Sequence, residues 1–155
     1  MNIVNQITIR RADNEQREAV IALLVSEKLP VEDLPASLDN FFIAVEDDII
    51  IGAIVLEQYG SYGLLRSLVV NKDHRNRGIA LQLIQSLEKD AGTSGIDCMY
   101  LLTETAPQYF EKKGYKRITR EDVPQPLKAS SEFSHVCPVT AIVMRKPLDK
   151  KQYDQ

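Results

Sequence analysis

The 155-residue sequence contains no tryptophan, two cysteines and no long hydrophobic run. A membrane-spanning helix needs about 20 apolar residues, so no membrane partner is expected. Cys98 and Cys137 provide neither a disulfide framework nor a zinc-ligand spacing, which favours a reducing compartment and no bound metal. Residues 1–6 lack the basic start and the apolar core of a signal peptide. These features predict a cytoplasmic protein.

Positive charge is also scarce. Nineteen Lys and Arg residues face 22 Asp and Glu residues, for a net charge of −3. Nucleic-acid-binding domains usually carry a basic face, so this balance argues against a nucleic-acid partner. The hydrophobic content of 44% and charged content of 26% are ordinary for a globular protein. At this length we expect a single domain over residues 1–155.

One stretch organises the chain: an apolar run at residues 64–70, a short polar connection and a helical pattern. The run is rich in Leu and Val, which is typical of a strand buried on both faces. The apolar residues that then recur at helical spacing are Ile79, Ala80, Leu83, Ile84, Leu87 and Ala91. The polar residues that we place on the other side of this helix are Gln82, Gln85, Glu88 and Lys89.

The connection into this helix is a candidate anion site. A helix N-terminus carries unpaired N–H groups and a partial positive charge. Arg75 and Arg77 add charge, and Gly78 has no Cβ to obstruct a ligand that approaches the main chain. A pyrophosphate fits such a site well.

Two motifs carry a resemblance to a known family. Arg75-x-x-Gly78-x-Ala80 directly follows the apolar strand and resembles the Gln/Arg-x-x-Gly-x-Gly/Ala signature of the GNAT acetyltransferases. About thirty residues later, the run Tyr109-Phe110-Glu111-Lys112-Lys113-Gly114-Tyr115 resembles that family's Leu-Tyr-Glu-Lys-Leu-Gly-Phe block. The strong likeness extends over residues 64–115, about a third of the chain.

The pattern along the chain predicts an α/β protein with a mixed sheet and the order β-α-β-β-β-α-β-α-β-β, which is also the GNAT order. Strands are predicted at residues 6–11, 41–46, 49–57, 64–70, 98–103, 116–120 and 141–146, and helices after residue 13, from residue 79 and at residues 105–113. The long connection at residues 121–140 contains three prolines and is expected to be functional or disordered.

The resemblance implies acetyl-CoA as cosubstrate. In GNAT proteins the fourth and fifth strands splay apart and the acyl-CoA thioester lies in the gap. By resemblance, backbone groups of Leu68, Val69 and Val70 would pair with the pantetheine arm. The residues that would hold the pyrophosphate are Arg75, Asn76, Arg77, Gly78, Ile79 and Ala80.

Acetyl transfer to an amine needs a base for the amine proton, N–H donors for the thioester oxygen and a proton for the departing thiolate. Glu104 follows the fifth strand and is our candidate base, with a solvated loop acid as the equal alternative. Glu57 is a second candidate. The usual family acid is a Tyr before the Glu-Lys pair, where this chain has Phe110. Tyr109 is a substitute that we do not expect to be indispensable, because it points about 100° away on a helix.

Arg66 interrupts the apolar strand, where a charge is costly unless it is paired. One interpretation is a clamp for a substrate carboxylate, since Arg binds carboxylates through two parallel hydrogen bonds. The other is an ion pair with an acid such as Glu57, and the sequence leaves both open. Because strand side chains alternate, Arg66 and Leu68 are expected on one face.

A narrower resemblance concerns the acceptor. Residues 65–70 and 100–106 are similar to the acetyltransferase domains of N-acetylglutamate synthases and still more to the acetyltransferases associated with arsenic resistance. The tail around Cys137 recurs in the second group. This resemblance implies a small amino-acid-like acceptor, acetylated by direct transfer in a ternary complex.

Other functions remain open at this stage. Phe110 motivates a non-catalytic acyl-CoA-binding module, and the acceptor is alternatively another amine or a protein N-terminus. A Rossmann-type nucleotide domain is disfavoured because the Gly-x-Gly-x-x-Gly loop is missing. The assembly is left open between a monomer and a homodimer.

Overall fold

The computed structural model describes residues 7–29, 31, 40–104, 106–128 and 141–148. In these residues, seven strands form one mixed sheet in the order β1-β2-β3-β4-β5-β7-β6. The strands are Thr8–Arg11 (β1), Phe41–Glu46 (β2), Ile49–Tyr59 (β3), Tyr62–Val70 (β4), Cys98–Thr103 (β5), Lys116–Ile118 (β6) and Ile142–Pro147 (β7). The predicted α/β class with a mixed sheet is confirmed, and each predicted strand is present.

Four α-helices accompany the strands in the described part of the chain. They are Arg17–Ser26 (α1), Ile79–Thr93 (α2), Pro107–Glu111 (α3) and Gln125–Lys128 (α4). The first three were predicted. The fourth lies inside the connection at residues 121–140 that the sequence assigned to a loop, so that assignment was wrong for α4. Residues 129–140 lie outside the described residues.

The chain divides into two compact units. The first comprises Met1–Leu56 and Ser67–Leu87, and the second comprises Glu57–Arg66 and Glu88–Gln155. β3, β4 and α2 each pass from one unit to the other along the chain.

The first unit holds β1, β2, the first part of β3, the end of β4 and most of α2. β1 pairs antiparallel with β2, and β2 pairs antiparallel with β3. Asp47 and Asp48 form the β2–β3 turn with φ of 53° and 64°, as a two-residue hairpin requires. The buried residues of one core cluster are Ala12, Val20, Leu23, Leu24, Phe41, Ile43, Ala53, Val55 and Val69.

The second unit holds the sheet from the start of β4 to β6. β4 pairs parallel with β5 from Tyr62↔Cys98 to Leu64↔Tyr100. β5 pairs antiparallel with β7 along its whole length, and β7 pairs with β6. The buried residues of its core cluster are Leu64, Tyr100, Val123, Leu127 and Val143.

Ser67 interrupts the middle of β4. Its φ is 56°, in the left-handed region that residues with a Cβ rarely adopt. Side-chain alternation holds only for extended backbone, so it cannot be counted across Ser67. The expectation that Arg66 and Leu68 share a face by simple alternation therefore loses its basis. Arg66 is buried and Leu68 is partly exposed.

A buried polar cluster lies in the second unit. Glu88 of α2 is 4% exposed. Its Oε2 accepts a hydrogen bond of 2.9 Å from the Tyr115 hydroxyl, and its Oε1 accepts one of 2.9 Å from Lys146 Nζ. The placement of Glu88 on a polar helix face was wrong. On an ideal helix it lies only about 40° from Ile84, at the border of the apolar stripe.

This cluster generates a stability prediction. Tyr115→Phe keeps the ring but leaves the buried Glu88 carboxylate with one donor fewer, which costs about 1–3 kcal/mol of unfolding free energy. Tyr109→Phe is the matched control, because it removes a hydroxyl from a half-buried tyrosine of the neighbouring helix. Urea unfolding of both variants measures the difference, and equal stabilities would contradict the role of the Tyr115 hydroxyl.

Candidate functional site

The turn between β4 and α2 combines two left-handed residues with a helix N-terminus. Asn76 has φ of 65° and Gly78 has φ of 76°. Arg75, directly before Asn76, is extended, with φ of −70° and ψ of 163°. α2 begins at Ile79, directly after Gly78, and its first turn has the unpaired N–H groups that make a helix N-terminus suitable for an anion.

Both arginines of the turn are paired with carboxylates in the first unit. Arg77 donates to both oxygens of Glu46, with Nη1···Oε1 at 3.2 Å, and Arg75 donates to Glu27. His74 Nε2 lies 3.6 Å from Glu46 Oε1. The hydrogen bonds from Arg77 lower the pKa of Glu46 although burial opposes this, and the same hydrogen bonds raise the pKa of Arg77.

Two glycines of the first unit differ in the space around them: Gly78 in the turn is open, and Gly52 on β3 is tightly packed. A Cβ on Gly78 would have no heavy atom within 4 Å apart from those of its two neighbours along the chain. A Cβ on Gly52 of β3 would lie 3.2 Å from the Val69 carbonyl oxygen and 3.1 Å from Leu83 Cδ1. Gly52 therefore permits close packing of β3 against β4 and α2, whereas Gly78 leaves room for a ligand.

Arg66 is paired with an acid in the second unit. Its Nη1 donates to Glu57 Oε2 at 3.1 Å, and the side chains are 1% and 14% exposed. Glu57 Oε1 also accepts a 2.8 Å hydrogen bond from the Tyr59 hydroxyl. The ion pair that the sequence left open is present, and the substrate clamp stays a prediction. The sequence did not anticipate Tyr59 as a further partner of Glu57.

The candidate acid and base also lie in the second unit. Glu104 is exposed in the link from β5 to α3, and Tyr109 is half-buried on α3. Burial raises the pKa of Tyr109. Phe110 is 7% exposed and packs edge-on against Tyr109 and Tyr115, with ring centroids 5.3 Å and 5.8 Å away. Phe110 is therefore a core residue.

The predicted cofactor residues all lie in the first unit, on β4, in the turn and at the start of α2. Val69 is buried in the core, while Leu68 and Val70 are partly exposed. The Arg75 Nε donates to the Val70 carbonyl at 3.4 Å. Glu27 and Glu46 were missed, because they are 48 and 31 residues from their arginines and no local pattern marks such partners.

Some sequence-based expectations lie outside the described residues. These include Cys137 and the tail residues around it that carry the arsenic-resistance resemblance. Cys98 is a free cysteine, and burial raises the pKa of its thiol.

Within the described residues, no cluster of three or more His, Cys, Asp or Glu side chains could hold a metal ion. No helix there has the length and apolar character needed to cross a membrane.

Comparison with known proteins decides the family. The model of the acetyltransferase (GNAT) domain matches residues 37–117, a little over half of the chain. The chain belongs to the GNAT acetyltransferase family. The resemblance drawn from the two motifs is thus confirmed, whereas the link to arsenic resistance stays a prediction.

Two relatives illustrate the range of similarity. An uncharacterized N-acetyltransferase of Chlorobaculum tepidum is 30% identical over 99 residues, which cover 63% of this chain and 63% of that protein. An amino-acid acetyltransferase of Mannheimia succiniciproducens is 26% identical over 96 residues, which cover 61% of this chain and 22% of that protein. The chain thus spans less than two thirds of the length of these relatives.

Solved structures share the fold at low sequence identity. The N-acetylglutamate synthase of Neisseria gonorrhoeae, complexed with coenzyme A and N-acetyl-glutamate, matches with a TM-score of 0.81 and 15% identity. The match covers 95% of this chain and 36% of that one. A GNAT acetyltransferase of Staphylococcus aureus Mu50 matches with a TM-score of 0.75 and 22% identity, covering 93% of this chain and 100% of that one.

The Glu46 pKa generates a prediction for acid unfolding. A carboxyl whose pKa is lowered by folding stabilises the protein above its unfolded pKa, here about 4.5, and loses that contribution as the pH falls through the native pKa. The stability advantage of wild type over Glu46→Gln should therefore be largest near neutral pH and shrink below about pH 4.5. Urea unfolding across the acid range measures it.

The control for this prediction is Asp48→Asn, which removes an exposed carboxylate from the same hairpin. Asp48 has φ of 64°, and Asn tolerates that conformation well. Its unfolding free energy should follow that of wild type. An advantage over Glu46→Gln that stays constant with pH would contradict the assigned pKa direction.

Proposed function

We propose that this protein transfers the acetyl group of acetyl-CoA to the amine of a small amino-acid-like acceptor in the cytoplasm. The observation that carries the proposal is the turn that leads into α2, with left-handed Asn76 and Gly78, in a chain of GNAT sequence. The amino-acid acetyltransferase relatives support the acceptor class, and the neighbours complexed with coenzyme A support the cosubstrate.

In this proposal the first unit binds the cofactor. Backbone groups of Leu68, Val69 and Val70 pair with the pantetheine arm, and N–H groups of residues 75–80 hold the pyrophosphate. Because the arginines are engaged with Glu27 and Glu46, the main chain supplies much of the anion recognition. Preorganised N–H donors act without the rearrangement that water would need.

The transfer itself forms one bond and breaks another. The neutral amine attacks the thioester carbonyl, the C–N bond forms, and the C–S bond breaks as the thiolate leaves. Glu104 accepts the proton that the amine loses, and its exposure gives it access to an entering amine. The thiolate takes a proton from solvent or from Tyr109, and with a thiol pKa of about 8.5 it is a fair leaving group on its own.

Arg66 is proposed to recognise the carboxylate of the acceptor. Glu57 holds one edge of the guanidinium and fixes its orientation. The side chain is nearly buried, and acceptor binding therefore requires a local opening around it.

The cofactor site generates a binding prediction. Gly78→Glu places a side chain and a negative charge where the pyrophosphate is expected, and should weaken CoA binding at least about tenfold, or ~1.4 kcal/mol. Gly60→Glu is the matched control, because Gly60 also has a positive φ, 65°, and open space at its Cβ. Calorimetric titration with CoA measures both variants. CoA affinity equal to wild type in Gly78→Glu would mean that the site lies elsewhere.

The acceptor site generates a kinetic prediction. A screen of free amino acids and small amines for CoA-thiol release should give an acceptor that carries a carboxylate beside its amine. With that acceptor, Arg66→Ala should raise its KM about tenfold or more and Arg66→Lys less, because Lys lacks the planar fork. The KM for acetyl-CoA should not change.

A paired variant separates the clamp from the ion pair. Arg66→Met combined with Glu57→Gln removes both charges and leaves no unpaired buried carboxylate. If Arg66 binds the acceptor, the double variant keeps the raised KM; if it only neutralises Glu57, the double variant recovers. Recovery, or a preferred acceptor without an oxyanion, would refute the clamp.

A further inference from the structure

Glu46 is unusual among the acids of its hairpin. Three acids follow one another at the end of β2, and Asp47 and Asp48 are exposed while Glu46 is only 8% exposed. A buried carboxylate is unfavourable unless hydrogen bonds compensate it. Here both of its oxygens accept hydrogen bonds from Arg77.

The turn that Glu46 contacts is held by polar contacts and not by packing. None of the residues 72–78 is buried, so packing contributes little to their conformation. Asn76 adopts φ of 65°, a left-handed conformation that Asn tolerates better than most residues with a Cβ. Without buried side chains, the turn depends on its hydrogen bonds and ion pairs to keep a single conformation.

Glu46 contacts the residues on both sides of Asn76. Arg77 lies after it and donates to both carboxylate oxygens. His74 lies before it and has Nε2 at 3.6 Å from the same carboxylate. Other contacts hold neighbouring residues: the Asp73 N–H donates to Asn71 Oδ1 at 2.9 Å, and Arg75 donates to Glu27 and to the Val70 carbonyl.

We propose that Glu46 is a positioning residue for coenzyme A, holding the turn of residues 74–78 in its anion-binding shape through Arg77 and His74. The inference rests on the proposed function, in which this turn receives the pyrophosphate. A loosened turn has to be ordered when the ligand binds, and the ordering free energy is lost from the affinity.

The charge of Glu46 works in the opposite direction, because a carboxylate near a pyrophosphate weakens its binding. The Arg77 side chain is 38% exposed while it is paired, so a phosphate can reach its outer N–H groups without displacing Glu46. Both carboxylate oxygens face the guanidinium, which offsets their charge locally. We therefore expect positioning to exceed repulsion.

The test compares two variants that remove one negative charge from the same hairpin. Glu46→Gln should weaken CoA binding about tenfold by calorimetry and raise the KM for acetyl-CoA, with the acceptor KM unchanged. Asp48→Asn should bind CoA within about twofold of wild type, since the charge of Asp48 is exposed to solvent. It is a matched control because it removes a charge of the same sign from the same hairpin. Thermal unfolding establishes that each variant is folded at the temperature of the titration.

A cycle with Arg77→Gln shows whether Glu46 acts through Arg77. If it does, the double variant should bind CoA about as weakly as Arg77→Gln alone, whereas independent effects would add. Arg77→Gln changes an exposed side chain and keeps the inference testable if Glu46→Gln does not fold. Unchanged or tighter CoA binding by Glu46→Gln would overturn this inference but not the proposed function. Failure of wild type to bind CoA would overturn the proposed function and this inference with it.

Discussion

The backbone adopts a positive φ three times between Ser67 and Gly78, and the candidate cofactor site depends on these three residues. Ser67 ends regular alternation within β4, and Asn76 and Gly78 shape the turn before α2. Local sequence preference accounts for Gly78 and largely for Asn76, because glycine adopts a positive φ freely and Asn tolerates it. A left-handed serine is rarer, so Ser67 requires contacts from elsewhere in the chain.

The contacts that hold the turn before α2 are mainly polar. Glu46 and Glu27 reach the turn from the ends of β2 and α1 and each binds an arginine that the sequence alone would assign to the ligand. In the proposed function the arginines therefore contribute in two ways: their charge attracts the pyrophosphate, and their pairing fixes the N–H groups that receive it. The motif Arg-x-x-Gly-x-Ala indicates the positive charge of the turn, but it does not indicate the carboxylates that pair with the arginines.

The sequence predicted the elements better than the partners. Alternation and helical periodicity placed every strand and the first three helices because these patterns reflect burial along one element. α4 was missed because Pro124 and Pro126 suggested a loop, yet Pro126 is the second residue of α4, where proline is tolerated. Glu88 and Ser67 show the same limit: a buried carboxylate and a left-handed serine are specified by residues distant in sequence, which a single sequence does not reveal.

The environment of α3 bears on how the thiolate obtains its proton. Tyr109 is half-buried, and burial raises its pKa above the usual value of about 10. A thiol has a pKa of about 8.5, so proton transfer from Tyr109 to the thiolate is uphill by at least about 2 kcal/mol. Phe110, where the family usually has its acid, lies in the core and donates nothing. In the proposed reaction, catalysis therefore depends more on the alignment of amine and thioester than on a strong acid, and the rigidity of the proposed cofactor turn matters correspondingly more.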